Sequence, residues 1–275
     1  MAAQIGTRDF EVEVSGNRLV RLSVDGPNLQ DSGFADILFI PGFKGFKDWG
    51  GWPWFCRELS AAGHRVFRMN PSMCGVGPSL DRFDQPELFA RQTLAHDVED
   101  VQAVLTAEEV GLTAPVLLGH SRGGLVAALS TRVVDSVTAV ITMGTPSDLV
   151  RISEQELEQW RVDGRRAIVN ARTGEVLYQD VEVLDDYLSQ GEAYSAPLAL
   201  QQAGVPVLAI HGSEDEAVEP ESVQILLAGV EPQNADQVII AGAGHTFGLT
   251  HPFAGPHHHA QQVIDEIVDW LGKDR

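Results

Sequence analysis

Cysteine is nearly absent from the 275 residues. Only Cys56 and Cys74 occur, too few for a disulfide framework, and reduced, partly buried thiols are the expectation. Basic residues are also scarce: 19 Lys and Arg face 39 Asp and Glu, a net charge of −20. A nucleic-acid partner is excluded on that balance, because phosphate backbones demand clustered cations. Docking on an anionic leaflet is excluded on the same ground. No apolar run approaches the roughly 18 residues that a spanning helix needs, and the first residues show no apolar h-region of a signal peptide. A cytoplasmic protein with no membrane partner is therefore expected. Internal repeats and low-complexity tracts are lacking as well. What is present is an ordinary globular composition, 44% apolar and 21% charged, in a chain long enough for one large α/β domain.

The hydrophobic pattern alternates between two periods. Residues 9–14 and 18–24 alternate apolar and polar around Gly16-Asn17, which predicts a β-hairpin. Residues 36–40 form a short apolar run stopped by Pro41-Gly42, the signature of a strand buried on both faces. Similar runs occur at 64–69, 115–118, 137–143, 206–210 and 237–240. Between them, Leu94, Val98, Val101 and Leu105 share one face of a helix, as do Val263, Ile264, Ile267, Val268 and Leu271. Strands alternating with helices predict a mostly parallel sheet covered on both faces. The rhythm breaks at about 146–204, where a helical segment (153–160), a small hairpin (167–178) and another helix replace the next unit. A structureless loop of that length is improbable, so an inserted cap is expected within a single domain spanning 1–275.

The chemistry concentrates at four strand ends. Gly119-His120-Ser121-Arg122-Gly123-Gly124 follows an apolar run and opens a helix. G-x-S-x-G in that setting is a nucleophile elbow, whose small flanking residues allow a tight turn that lifts the serine hydroxyl above the sheet. A serine needs a base to take its proton, and the base needs an orienting carboxylate. Asp215 is the candidate carboxylate, just past the run 206–210, with Glu214 and Glu216 as competitors. His245, on a glycine-rich loop after the last run, is the candidate base, with His251 as its rival. The turn Pro41-Gly42-Phe43-Lys44-Gly45 offers the Phe43 N–H, which with the Arg122 N–H would form an oxyanion hole.

The motifs GHSRGG, HGSEDEAV and GAGHTFG, in that order after PGFKGFKDWG, resemble those of the α/β-hydrolase superfamily of serine hydrolases. The likeness runs from about Asp36 to Leu271. Within the superfamily the chain is similar to dienelactone-hydrolase-like and serine-aminopeptidase-like acyl hydrolases, and a cap with a hairpin resembles that of cinnamoyl and feruloyl esterases. The resemblance implies an α/β-hydrolase fold and a Ser-His-Asp triad of Ser121, His245 and Asp215. It also implies hydrolysis of a small-molecule carboxylic ester through an acyl-enzyme, with no cofactor. A small peptidase or amidase is the alternative enzyme, and a ligand-sensing receptor with slow hydrolysis the alternative class. Two departures stand out: Pro41 occupies a position where many members have His, and the nucleophile is Ser121 rather than the Cys of dienelactone hydrolases.

Lys44, Trp49 and Trp52 are the expected pocket residues, since Trp49, Trp52, Trp54 and Phe55 crowd the segment after the oxyanion turn. Arg122 is expected to form a structural ion pair, with Asp48 as the suggested partner. No metal site is expected: His257, His258 and His259 are adjacent on a helix start and face different directions. Charge is unevenly spread. Residues 41–80 carry Lys44, Lys47, Arg57, Arg65 and Arg68 against Asp48 and Glu58, a local excess of positive charge. That excess suggests a site mouth able to take carboxylate-bearing acyl substrates. Homo-oligomerisation is left open.

Overall fold

The computed structural model describes residues 6–26, 35–149, 152–170 and 174–273. The amino-terminal hairpin forms as the alternation predicts. Strands β1 (Gly6–Val14) and β2 (Arg18–Gly26) pair antiparallel, with Val14 opposite Arg18 across a turn in which Gly16 and Asn17 take positive φ. The continuous apolar runs become interior strands: β3 (Asp36–Ile40), β4 (Arg65–Asn70), β5 (Pro115–His120) and β6 (Ala139–Met143). Further along the chain, β7 (Arg165–Val169) and β8 (Val176–Asp180) make a separate two-stranded hairpin, before β9 (Val207–Gly212) and β10 (Ala235–Ile240) return to the main sheet. Its order is β1-β2-β4-β3-β5-β6-β9-β10, with β3 to β6, β9 and β10 all parallel.

Period-2 alternation within the apolar runs divides each strand between two cores. Ile37 and Phe39 of β3 face a cluster built with helices Trp52–Ala61 and His258–Leu271. Leu38 and Ile40 face another, built with Leu94–Thr106, Arg122–Ser130, Ala196–Ala203 and Ser222–Leu227. Each of these four side chains is fully or almost fully buried, a contribution of about 1.5–3 kcal/mol apiece. Two-sided burial explains why these strands lack polar alternation.

Strands β6 and β9 are adjacent, so the 63 residues between Met143 and Val207 are all connection. They hold helix Glu154–Asp163, the β7–β8 hairpin and helix Val181–Gln190, then the crossover helix Ala196–Ala203. Ser153 and Glu156 form a reciprocal capping box at the first helix. The segment has a small core of its own, Trp160, Val183 and Leu184. Among the described residues, no helix is long and apolar enough to cross a membrane.

Candidate active site

The turn from β5 into helix Arg122–Ser130 sets the site. Ser121 caps that helix at φ 53°, ψ −122°, a conformation that costs an ordinary residue about 1–3 kcal/mol. Its N–H donates to the Met143 carbonyl at 2.8 Å, tying the turn to the neighbouring strand. Close approach explains the glycines. A Cβ on Gly123 would overlap the Ile40 carbonyl, and one on Gly124 would overlap the Thr145 side chain. Gly42 lies as close: a Cβ there would stand 3.0 Å from the Ser121 Cβ. The loop after β3 therefore rests directly on the elbow, and Phe43 borders the same cavity as Ser121.

Three side chains from three strand ends meet in one chain of hydrogen bonds. His245 Nε2 lies 3.0 Å from Ser121 Oγ, and His245 Nδ1 lies 2.8 Å from Asp215 Oδ2. Asp215 is buried, while a quarter of the His245 side chain reaches the cavity. The other carboxylate oxygen, Oδ1, accepts the Ala217 and Val218 N–H groups, both at 2.9 Å. Burial alone would raise the Asp215 pKa. Hydrogen bonds from His211 and His245, electrostatic attraction to the His245 ring and the Val218 N–H together outweigh it, and hold the group well below the usual carboxylate range. An ionised carboxylate only accepts, so Nδ1 carries the imidazole proton and Nε2 presents a lone pair to the serine hydroxyl. Glu214 and Glu216 are exposed. His251 lies elsewhere: its Nδ1 accepts the Gly50 N–H at 2.9 Å and its ring stacks on Trp49.

Two histidines that the motifs alone do not single out buttress this chain. His211 is fully buried, with Nε2 3.1 Å from both Asp215 Oδ2 and the Val218 carbonyl. His120, the residue before the serine, donates from Nε2 to the His245 carbonyl at 2.9 Å and so fixes the histidine loop. Burial, followed by the nearby His245 charge, pushes its pKa down to about 3. The signal for His120 was present in GHSRGG, where an imidazole at a strand end beside a buried turn needs a partner.

The pocket differs from expectation. A cavity of about 270 Å³ opens on Ser121 and His245, and much of its wall comes from the connection between β6 and β9, including Ile152, Trp160, Arg166, Gln179, Val183, Leu184 and Tyr187. Trp52 is not on that wall. It is buried beneath the sheet end, its ring 4.8 Å from that of His120. Lys44 and Trp49 border a second cavity of about 410 Å³, together with His251. The aromatic run after the turn therefore serves mainly the core, because helix Trp52–Ala61 packs one face against β4 and buries its tryptophan there.

Charge placement is corrected in the same way. Arg122 pairs with Asp97, not Asp48, through Nε at 3.0 Å and Nη2 at 2.7 Å, with both side chains buried. Asp48 instead pairs with Lys47 and Arg68. The basic excess of residues 41–80 is largely neutralised by acids from other segments: Arg68 pairs with Asp25 and Arg65 with Asp36. It does not line the mouth of the serine's cavity. The side-chain nitrogens of His257, His258 and His259 come within 4.8 Å of one another, but His257 Nδ1 accepts the His259 N–H as a helix cap. Both cysteines are buried free thiols whose pKa values burial raises, that of Cys74 to about 12.

A mostly parallel sheet with a strained serine at the end of a central strand, and a histidine loop after the last strand, defines a protein of the α/β-hydrolase class. Residues 37–265 match the model of the alpha/beta hydrolase family, and the chain belongs to that family. Among solved structures it is similar to Est1E from Butyrivibrio proteoclasticus, at 18% identity and TM-score 0.65, covering 96% of this chain and 97% of the other. It is also similar to an esterase domain from a Rhodothermus marinus protein, at 20% identity and TM-score 0.63, with 97% of both chains covered. A putative hydrolase from Agrobacterium vitis aligns at 16% identity and TM-score 0.73, over 98% of this chain and 99% of the other. At these identities the likeness is one of fold. No curated protein matches by sequence.

Proposed function

We propose that the protein is a serine hydrolase of small carboxylic esters, with Ser121 as nucleophile, His245 as general base and Asp215 as its orienting carboxylate. The observation that carries this reading is the unbroken hydrogen-bond chain from Ser121 Oγ through His245 to Asp215, at 3.0 and 2.8 Å. In the reaction, Ser121 Oγ attacks the ester carbonyl carbon as His245 Nε2 takes the hydroxyl proton. The carbonyl oxygen becomes an oxyanion held by the Phe43 and Arg122 N–H groups. The Arg122 N–H belongs to the first turn of helix Arg122–Ser130, where amides have no partner inside the helix and the dipole favours negative charge. Each such donor is worth about 3 kcal/mol in the transition state. Collapse expels the alcohol, which takes its proton from His245. Water, activated by the same imidazole, then releases the acid and restores Ser121.

No step calls for a cofactor. The esterase name of one structural neighbour agrees with an ester substrate. A cavity near the lower end of the ~300–1,000 Å³ usual for small ligands favours a short acyl group. Two buried, unpaired thiols suit a reducing compartment such as the cytoplasm. The test is turnover of short p-nitrophenyl esters by wild type and Ser121→Ala. Turnover by wild type and its loss in the variant, with the melting temperature retained, support the reading. Equal activity in both, or none in either, overturns it.

A further inference from the structure

The serine's cavity contains a cation that the proposed chemistry does not use. Arg166 of β7 borders it, with its guanidinium carbon 4.4 Å from the centre of the Trp160 ring. Arg166 Nε and Nη2 both donate to Gln179 Oε1, at 3.1 and 2.8 Å. The Trp160 indole N–H donates to the Gln179 backbone carbonyl at 3.0 Å, and both Trp160 and Gln179 are buried. The platform is therefore a built one. A neighbouring helix holds the tryptophan, the tryptophan and the amide hold the guanidinium, and all three line the cavity that Ser121 lines.

What the platform lacks is an anionic partner. Among the described residues no carboxylate lies within salt-bridge distance of Arg166. Glu156 attracts it only from farther away and is itself engaged by Ser153. Gln179 gives its side-chain oxygen to Arg166, so its NH2 group adds two more donors. Burial opposes the charge on Arg166, yet the structure meets that charge with a neutral amide and an aromatic face. Guanidinium and amide donors beside one another match a planar, anionic acceptor such as a carboxylate. The rest of the wall is mainly apolar, with Ile152, Val183 and Leu184 lining the same cavity as Arg166 and Ser121. A chain with net charge −20 repels anions at long range, so an anionic substrate needs a local cation of this kind.

We propose that Arg166, supported by Gln179 and Trp160, is a carboxylate-recognition subsite, and that the preferred substrates are short monoesters of dicarboxylic acids. The free carboxylate pairs with Arg166 while the ester carbonyl sits at Ser121. This rests on the reading of Ser121 as the nucleophile. It places the anion preference suggested by the sequence on the inserted segment rather than on residues 41–80.

The experiment has two arms. In the first, kcat/KM is measured for p-nitrophenyl hydrogen glutarate and for the neutral p-nitrophenyl pentanoate, with wild type, Arg166→Gln and Arg166→Lys. The expected anionic-to-neutral ratio is tenfold or more in wild type, near one in Arg166→Gln and intermediate in Arg166→Lys, which keeps charge but not the fork. Equal ratios in all three proteins overturn the proposal. In the second arm, glutarate binding is followed by tryptophan fluorescence in Ser121→Ala and in Ser121→Ala/Arg166→Gln. Binding at least tenfold weaker in the double variant supports the subsite even where neither ester is turned over, a result that would count against the hydrolase reading alone. Equal affinity in the two variants overturns the subsite.

Discussion

Replacing Asp215 by Asn tests the proposed division of labour at the level of single hydrogen atoms. Oδ1 accepts two backbone N–H groups at 2.9 Å, so the amide oxygen of the introduced asparagine must occupy that position. The NH2 group is then forced into the place of Oδ2, 2.8 Å from His245 Nδ1. There it can only donate, and Nδ1 must accept. The imidazole proton moves to Nε2, which then points a hydrogen rather than a lone pair at Ser121 Oγ. A base locked in the wrong tautomer costs about 10⁴-fold in kcat in well-studied triads, or about 5.5 kcal/mol of transition-state stabilisation. The fold should change little, because both backbone donors keep an acceptor and His211 Nε2, which loses Oδ2, keeps the Val218 carbonyl at 3.1 Å. Asp215→Ala, by contrast, strands the buried Val218 N–H at about 1–3 kcal/mol. The assay is ester turnover beside urea unfolding for both variants. An Asn variant within tenfold of wild-type kcat, at unchanged stability, would refute the assignment of Asp215.

Two further predictions concern the buried charges beneath the elbow. Asp97→Ala leaves the Arg122 guanidinium, 5% exposed, without its carboxylate. The expected loss is about 3–5 kcal/mol, read by urea unfolding; a loss under 1 kcal/mol would mean that the pair does not matter. Asp100 is buried, and its pKa is pushed up to about 7, chiefly by burial and then by the Asp97 charge, against hydrogen bonds from Ser72 and the charge of Arg18. A folded-state pKa above the unfolded value near 3.9 means that the folded protein holds this proton more tightly. The contribution to stability is therefore full below about pH 4 and is lost as pH rises to about 7, by at most ~1.4 kcal/mol per pH unit. Asp100→Asn should remove that decline, so its stability relative to wild type should grow between pH 5 and pH 8. A constant difference across that range contradicts the assignment.

The sheet was legible because its interior strands are buried on both faces, which leaves continuous apolar runs such as 36–40 and 137–143 in the sequence. Strand ends blurred by one or two residues; the run 64–69 became Arg65–Asn70. Ser121 was legible because a strained turn enforces small neighbours, and Asp215 and His245 because each follows a strand end directly. The pocket was not. Trp160, Arg166 and Gln179 come from a helix and two hairpin strands that meet only in tertiary structure, and no local pattern marks which of their side chains face the serine. Trp49 and Trp52 misled for the converse reason: aromatic density shows burial but not which cavity is lined. The partner of Arg122 was within reach. Asp97 and Asp100 sit within the apolar stripe of helix Leu94–Thr106, and acids on a buried face call for buried cations.

The central claim is that Ser121 is a nucleophile activated by His245. It is tested most directly by treating the protein with a fluorophosphonate and locating the adduct by peptide mass mapping, in wild type and in His245→Ala. The account predicts one covalent adduct, on Ser121, forming at least 100-fold more slowly in the variant. An adduct on another residue, or equal rates of labelling in the two proteins, would contradict it.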